Sequence, residues 1–252
     1  MPIIQLTNKP LRARPATDYY PTTLETALGT LYYLQTRHRI GRGVIRHGNR
    51  QFRVLDPGAG DGVWGNAART LWPDAHITGV ELDPQRKAHP AYDEWHNQDF
   101  LVFAQNYTAT PAYQPYDIVI GNPPFKLAES FVADGLRLLR SDSSSSLVFL
   151  LRLEFLASSR RKVGLFATHR PNKAHVMSRR PSFSGDGKTN ALDYMILQWT
   201  PGKKANETHL AWYDYRQAYR QYLEGVSHRA TRPTEGRCST DLHTVLIAGD
   251  CA

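Results

Sequence analysis

Residues 52–62 read Phe-Arg-Val-Leu-Asp-Pro-Gly-Ala-Gly-Asp-Gly. The run Phe52–Leu55 has the length and apolar content of a buried strand. Asp56 and Pro57 end it. Gly58, Gly60 and Gly62 then let the backbone bend tightly and approach a ligand closely. Val63–Leu71 has helical spacing and stops before Pro73. The unit is therefore strand, glycine turn, helix, and the start of that helix offers free amides to a polar ligand.

The next segments repeat the alternation. HITGVELDP, residues 76–84, reads as a second strand with Glu81 at its end. An acid there can hold a ribose through both hydroxyls. Residues 94–100 read as a short third strand ending in Asn97-Gln98-Asp99-Phe100. Asp99 can accept from an adenine amine with Phe100 packed on its ring, or it can cap a helix whose Phe is core. YDIVIGNPPF, residues 116–125, is a fourth strand running into Asn122-Pro123-Pro124-Phe125. Two prolines make a rigid platform at the carboxyl end of a strand, where open α/β sheets place ligands. An amide oxygen and a backbone carbonyl can jointly grip an exocyclic amine, and Phe125 offers a stacking face.

Upstream, residues 22–38 have helical spacing behind a Thr cap, and residues 37–53 form a loop-rich basic segment. Downstream come a helix over 127–139, a Ser-rich connection at 141–146, a fifth strand over 147–156 and a helix over 157–168. Two further strands span 173–179 and 192–200. The expected fold is α/β, with a mainly parallel seven-stranded sheet and helices on both faces. Residues 1–50 are expected to form a cofactor-closing segment with a basic loop, 51–200 the catalytic domain, and 201–252 an appendage. Within the appendage, 212–223 is expected to be a Tyr-rich helix, with disorder beyond Gly225.

Composition sets outer limits. Hydrophobic residues make up 41% and charged residues 21% of 252, which excludes a fibrous repeat or wholesale disorder. No apolar run approaches the roughly 18 residues of a membrane span, and residues 1–14 lack the apolar core of a signal peptide. Cys238 and Cys251 alone cannot build a disulfide framework; a cytoplasmic location is expected. The histidines, His38, His47, His169 and His175 among them, show no metal-ligand spacing with the cysteines, so no metal is expected. A net charge of +8 favours a polyanionic partner. The charge concentrates in 152–188, where nine Lys and Arg face only Glu154 and Asp186.

DPGAGDG, GVELD, NQDF and YDIVIGNPPF, in that order, resemble the class I S-adenosylmethionine-dependent methyltransferases. NPPF is similar to the motif of enzymes that methylate adenine N6. Asp18-Tyr-Tyr-Pro-Thr-Thr23 resembles the cofactor-contacting motif of DNA adenine methyltransferases in their gamma arrangement. The compact size and the tract over 178–199 resemble phage and prophage members, which would place the protein in a host cytoplasm. The resemblance runs from about Asp18 to Trp199.

The resemblance implies a Rossmann-like class I methyltransferase fold with S-adenosylmethionine as cofactor and S-adenosylhomocysteine as product. Gly58 and Gly60 would approach the methionine part, with Asp56 on its polar end. Glu81 would take the ribose, Asp99 the adenine amine, and Phe100 would flank the ring. Tyr20, Pro21 and Thr22 would close over the cofactor. Asn122 and the Pro123 carbonyl would bind the target amine on the platform completed by Pro124, with Phe125 stacking on a flipped base. Arg152, Arg161, Arg179, Arg180, Phe183 and Lys188 would contact nucleic acid. DNA is the expected partner, with no membrane role; the alternatives are the same chemistry on RNA and a non-catalytic nucleic-acid-binding relic.

Overall fold

The computed structural model describes residues 20–41, 50–183, 189, 191–203 and 205–230. The chain runs α1 (Leu24–His38), β1 (Arg53–Pro57), α2 (Val63–Leu71), β2 (His76–Glu81), β3 (Glu94–Asn97) and α3 (Phe100–Ala109). It continues through β4 (Ile118–Gly121), α4 (Ala128–Leu138), β5 (Ser146–Arg152), α5 (Ser159–Val163) and α6 (Leu165–Thr168). It closes with β6 (Lys173–Met177), β7 (Tyr194–Trp199), β8 (His209–Tyr213) and α7 (Tyr215–Ala230).

The strands form one sheet in the order β3-β2-β1-β4-β5-β7-β6-β8. Only β7 runs antiparallel to its neighbours. The side-chain period of two distributes each strand to both faces. Val54, Ile77, Ile118, Ile120, Val148 and Ile196 join the core under α1, α2 and α7. Leu55, Val80, Val119, Leu147 and Phe149 join the core with residues of α3 and α4. Helices thus cover both faces, as the sequence indicates.

Among the described residues the sheet has eight strands rather than the expected seven. The extra one, β8, lies on the edge beside β6, and its short half-exposed pattern carries little apolar signal. Trp212 therefore stands in a strand, not a helix, and is 68% exposed. The helix begins at Tyr215, and Tyr213, Tyr215, Tyr219 and Tyr222 pack into the core under α1. It also passes Gly225 and reaches Ala230, where disorder was expected. Residues 231–252, with both cysteines, lie outside the described residues.

Four local readings change as well. The third strand stops at Asn97, and Asp99 caps α3 by accepting from the amides of Leu101 and Val102. β5 ends at Arg152, and residues 153–156 form a 3-10 turn instead of extending the strand. Residues 157–168 break into two short helices at Gly164. The serine run is pinned: Asp142 accepts from the amides of Ser144 and Ser145, and Ser145 and Ser146 are buried.

Two polar anchors hold the layers. Asp117, fully buried before β4, accepts from the Arg53 amide at 2.9 Å and pairs with Arg50 and Arg140. Arg50 and Arg53 of the basic segment are thus structural; Arg42 and Arg46 lie outside the described residues. On the other side of the sheet, His38 contacts the Lys173 Nζ at 2.8 Å and the Tyr33 hydroxyl at 3.0 Å. His175 reaches Gln198 at 3.2 Å. Burial first, then the neighbouring Lys173, lowers His38 to about 4; burial, His38 and Lys173 lower His175 to about 4. Depressed histidines stabilise fully above their unfolded value of 6.5, and that stability is lost as pH falls through about 4.

α1 is capped by Thr23 and ends on Arg39 in the left-handed conformation. Gly29 lets α7 approach closely: a Cβ there would lie 2.2 Å from the Tyr215 carbonyl oxygen. Gly225 on α7 would meet nothing within 4 Å. Gly29→Ala should therefore cost about 1–3 kcal/mol by overpacking. Gly225→Ala should stabilise by about 0.5–1 kcal/mol through helix propensity. Thermal denaturation of the two variants, one melting lower and one higher than the parent, checks the packing of α7 on α1.

Candidate active site

β1 hydrogen-bonds to β2 on one side and to β4 on the other. Strand order reverses there, and a crevice opens beyond the carboxyl ends of the strands. The turn after β1 fills its floor. Gly58, Gly60 and Gly62 have φ of 71°, 57° and 81°, the left-handed region that side chains avoid. The amides of Gly58 and Ala59 both donate to the Val80 carbonyl, at 2.7 and 2.9 Å, which ties the turn to β2.

A cavity of about 400 Å³ occupies the crevice, within the usual range for small-molecule sites. Gly58, Gly60, Glu81, Asp99 and Phe100 line it, as do Asn122, Pro123 and Pro124. Tyr20, Pro21 and Thr22 line it too, brought from the start of α1. The sequence-predicted residues from five separate segments thus converge. Glu81 accepts from the Gly60 amide at 2.7 Å and the Asp83 amide at 2.9 Å, which fixes its carboxylate at the rim. Asp99 both caps α3 and faces the cavity; Phe100 is 3% exposed and packs at 4.7 Å from Phe131. The cap and the position on the cavity wall are thus compatible in one residue pair.

Asn122 is held in one orientation. Its Nδ2 donates to the Tyr20 carbonyl at 2.8 Å and to the Thr22 hydroxyl at 3.2 Å. Its Oδ1 is buried and has no partner within the protein. A buried acceptor left unmade costs about 1–3 kcal/mol, so the site presents a prepaid acceptor to a ligand donor.

Asp56 does not line the cavity. It is fully buried beneath the turn, where the Tyr92 hydroxyl donates to its Oδ2 at 2.6 Å. Tyr92 in turn accepts from the Gly65 amide of α2 at 3.2 Å. Asp56 Oδ1 has no partner within the protein. Burial raises its pKa to about 7 despite the bond from Tyr92. This places Asp56 as a support of the turn rather than on the cavity wall.

Phe125 lies outside the cavity, in an aromatic cluster. Tyr20 is 5.4 Å away and Tyr194 6.0 Å; Phe183 packs on both, at 5.8 and 5.0 Å. The Arg152 guanidinium sits 4.4 Å from the Phe125 centroid and 5.6 Å from that of Tyr20. Its Nε is buried without an acceptor. A cation–π contact contributes about 0.5–2 kcal/mol, and an orphaned donor costs about 1–3 kcal/mol. Its other polar contacts, to Glu154 at 3.4 Å and to the Tyr20 hydroxyl at 3.5 Å, are long, so Arg152 is lightly held.

The other described basic residues have closer partners. Arg161 lies over Phe155 and donates to its carbonyl at 2.7 Å. Arg179 pairs with Asp214 at 2.7 Å and Arg180 with Asp193 at 2.8 Å. Exposed pairs of this kind contribute at most about 1 kcal/mol, so Arg179 and Arg180 can exchange carboxylate for phosphate. Lys188 lies outside the described residues. Sequence reasoning missed Asp61 and Arg86, an ion pair on the cavity wall, and Tyr92. No spacing links these residues; only the fold brings them together.

A family model described as methyltransferase small domain matches residues 45–154. A tRNA1(Val) (adenine(37)-N6)-methyltransferase of Aeromonas hydrophila subsp. hydrophila is 34% identical over 94 residues, 34% of this chain. The match spans 38% of that relative's length. Among solved structures, a class I S-adenosylmethionine-dependent methyltransferase from Listeria monocytogenes superposes with a TM-score of 0.54. It is 18% identical and covers 84% of this chain and 72% of its own. The fold is that of the class I methyltransferases, Rossmann-like, with β8 as an additional edge strand.

Asp56 sets a pH dependence of stability. Its folded pKa of about 7 exceeds the unfolded 3.8, so the folded state holds the proton longer. Its contribution is most favourable below about pH 4 and is lost as pH rises through about 7. The histidine anchors act in the opposite sense, so the difference between parent and variant isolates Asp56. Asp56→Asn should gain stability relative to the parent as pH rises from about 4 to about 7. A parallel pair of melting curves across that window would refute the assignment.

Proposed function

We propose that the protein transfers a methyl group from S-adenosylmethionine to the N6 amine of an adenine in a nucleic acid. The observation that carries this reading is the oriented Asn122, with both amide hydrogens engaged by the α1 segment and its oxygen unpartnered at the cavity. The Asn-Pro-Pro-Phe motif, the fold and the adenine-N6 relative support it.

The residues fit the cofactor. The left-handed glycine turn admits a close approach by the methionine part, Glu81 stands where a ribose would lie, and Asp99 with Phe100 forms a place for an adenine. When bound, S-adenosylmethionine supplies an electrophilic methyl on a sulfonium. This chain's own residues do the rest. Asn122 Oδ1 and the Pro123 carbonyl accept hydrogen bonds from the amine, favouring a more pyramidal nitrogen whose lone pair can attack. The rigid Pro123-Pro124 platform holds that nitrogen in line, so positioning and preorganised dipoles supply the acceleration. A paired base cannot reach this site and must be flipped out or already unpaired.

For the substrate we keep DNA as the first reading, on the resemblance of residues 18–23 and 178–199 to DNA adenine methyltransferases. The tRNA-modifying relative favours RNA as the second. Methyl transfer to duplex DNA, single-stranded DNA and RNA in parallel, followed by nucleoside analysis, separates them: N6-methyladenine in DNA supports the first, and methylation confined to RNA the second. Asn122→Ala should lower kcat by about 10²–10³ while calorimetric binding of S-adenosylhomocysteine persists. Retained turnover would sink the role given to Asn122. Thr22→Val, which frees one hydrogen of the amide, should lower kcat by about tenfold with little change in KM.

A further inference from the structure

The aromatic cluster beside the cavity holds one group that the proposed reaction does not use. Arg152 ends β5, and its planar guanidinium lies 4.4 Å from the centre of the Phe125 ring. It also covers Tyr20 at 5.6 Å and reaches that residue's hydroxyl at 3.5 Å. Phe125 follows Pro124 directly, and the resemblance to adenine-N6 methyltransferases makes its ring the surface on which a base presented to Asn122 would stack. A guanidinium and a nucleobase are both flat, and both bind an aromatic ring by its face. Phe125 is already flanked by Tyr20 and Tyr194, and Phe183 backs both of these.

We propose that Arg152 is a placeholder for the target base: it covers Phe125 in the free protein and must leave before a flipped base can stack there. This inference rests on the adenine-methylating reading above. Two features make the position reversible. The Nε–H is buried without an acceptor, so the resting place is not a deep minimum. Glu154, two residues on and 65% exposed, already touches Arg152 at 3.4 Å and offers a partner toward solvent. Released, the guanidinium is also free to meet a phosphate of the strand that delivered the base. The arrangement favours nucleotides whose stacking is strong enough to displace the cation, so Arg152 sets a threshold that purines clear more readily than pyrimidines.

The test separates base engagement from phosphate contacts. Dissociation constants are measured, with S-adenosylhomocysteine present, for oligothymidylate and oligouridylate strands carrying either one central adenine or an abasic site. The ratio of abasic to adenine Kd reads stacking in the base site. Arg152→Ala should raise that ratio about three- to tenfold. Arg152→Lys keeps the charge but cannot lie flat; it should raise the ratio similarly with the abasic Kd unchanged, and it guards against a folding defect in the alanine variant. Phe125→Ala should lower the ratio toward one, leaving only what the amine's bonds to Asn122 and the Pro123 carbonyl contribute. If the parent ratio exceeds one and falls in Phe125→Ala, but is unchanged or lower in both Arg152 variants, the placeholder role is overturned and the base-site reading survives. A ratio of one in every protein overturns both.

Discussion

β1 and β4 are hydrogen-bonded neighbours, with Val54 opposite Ile118 and Leu55 opposite Val119, although two strands and two helices intervene in the chain. That single adjacency places the glycine turn and the Asn-Pro-Pro-Phe loop at one end of the sheet. It is secured from below by Asp117, which gathers the Arg53 amide, Arg50 and Arg140 into one buried cluster at the opposite end of the two strands. Without it the cavity would lose a wall, because β2 supplies Glu81 on one side and β4 supplies Asn122 on the other.

The second constraint comes from the N-terminal helix. α1 lies under the sheet between α2 and α7, and its leading residues reach across to Asn122. One hydrogen bond from a side-chain amide to the Tyr20 carbonyl therefore joins the cavity, the Asn-Pro-Pro-Phe loop and the helical layer. The close contact at Gly29 and the Thr30–Tyr213 bond of 3.0 Å fix α1 to the C-terminal elements. Residues 209–230 thus take part in placing the segment that orients Asn122. The site's electrostatics follow from the same burial: Asp56, enclosed beneath the turn, holds its proton to about pH 7, and Asn122 keeps a desolvated acceptor.

Much of this was legible in the residues. The alternation of short apolar runs with helical spacing gave strands β1 to β7, and the glycine turn, Glu81, Asp99 and Asn122 stood out because each follows a strand. What escaped had weak local signals. β8 is a short edge strand with exposed Leu210 and Trp212, so its apolar side chains do not mark a buried face. α3 was hidden by a third strand that ends earlier than its apolar content implies; the cap at Asp99 was the available cue. The family resemblance implies a ligand contact for Asp56, yet its partner is Tyr92, 36 residues on, and nothing in the spacing indicates that pairing.

The sequence by itself determined the α/β alternation, the left-handed turn that only glycines adopt without strain, and the rigid loop that two prolines impose. Those are local properties of backbone and side chain. Only the tertiary structure decided which oxygen of the site is left without a partner among the described residues, which carboxylate is buried away from the cavity, and which cation covers the Phe125 ring. Each of these depends on groups far apart in the chain. Desolvation and unmet hydrogen bonds arise only when packing brings such groups together and excludes water.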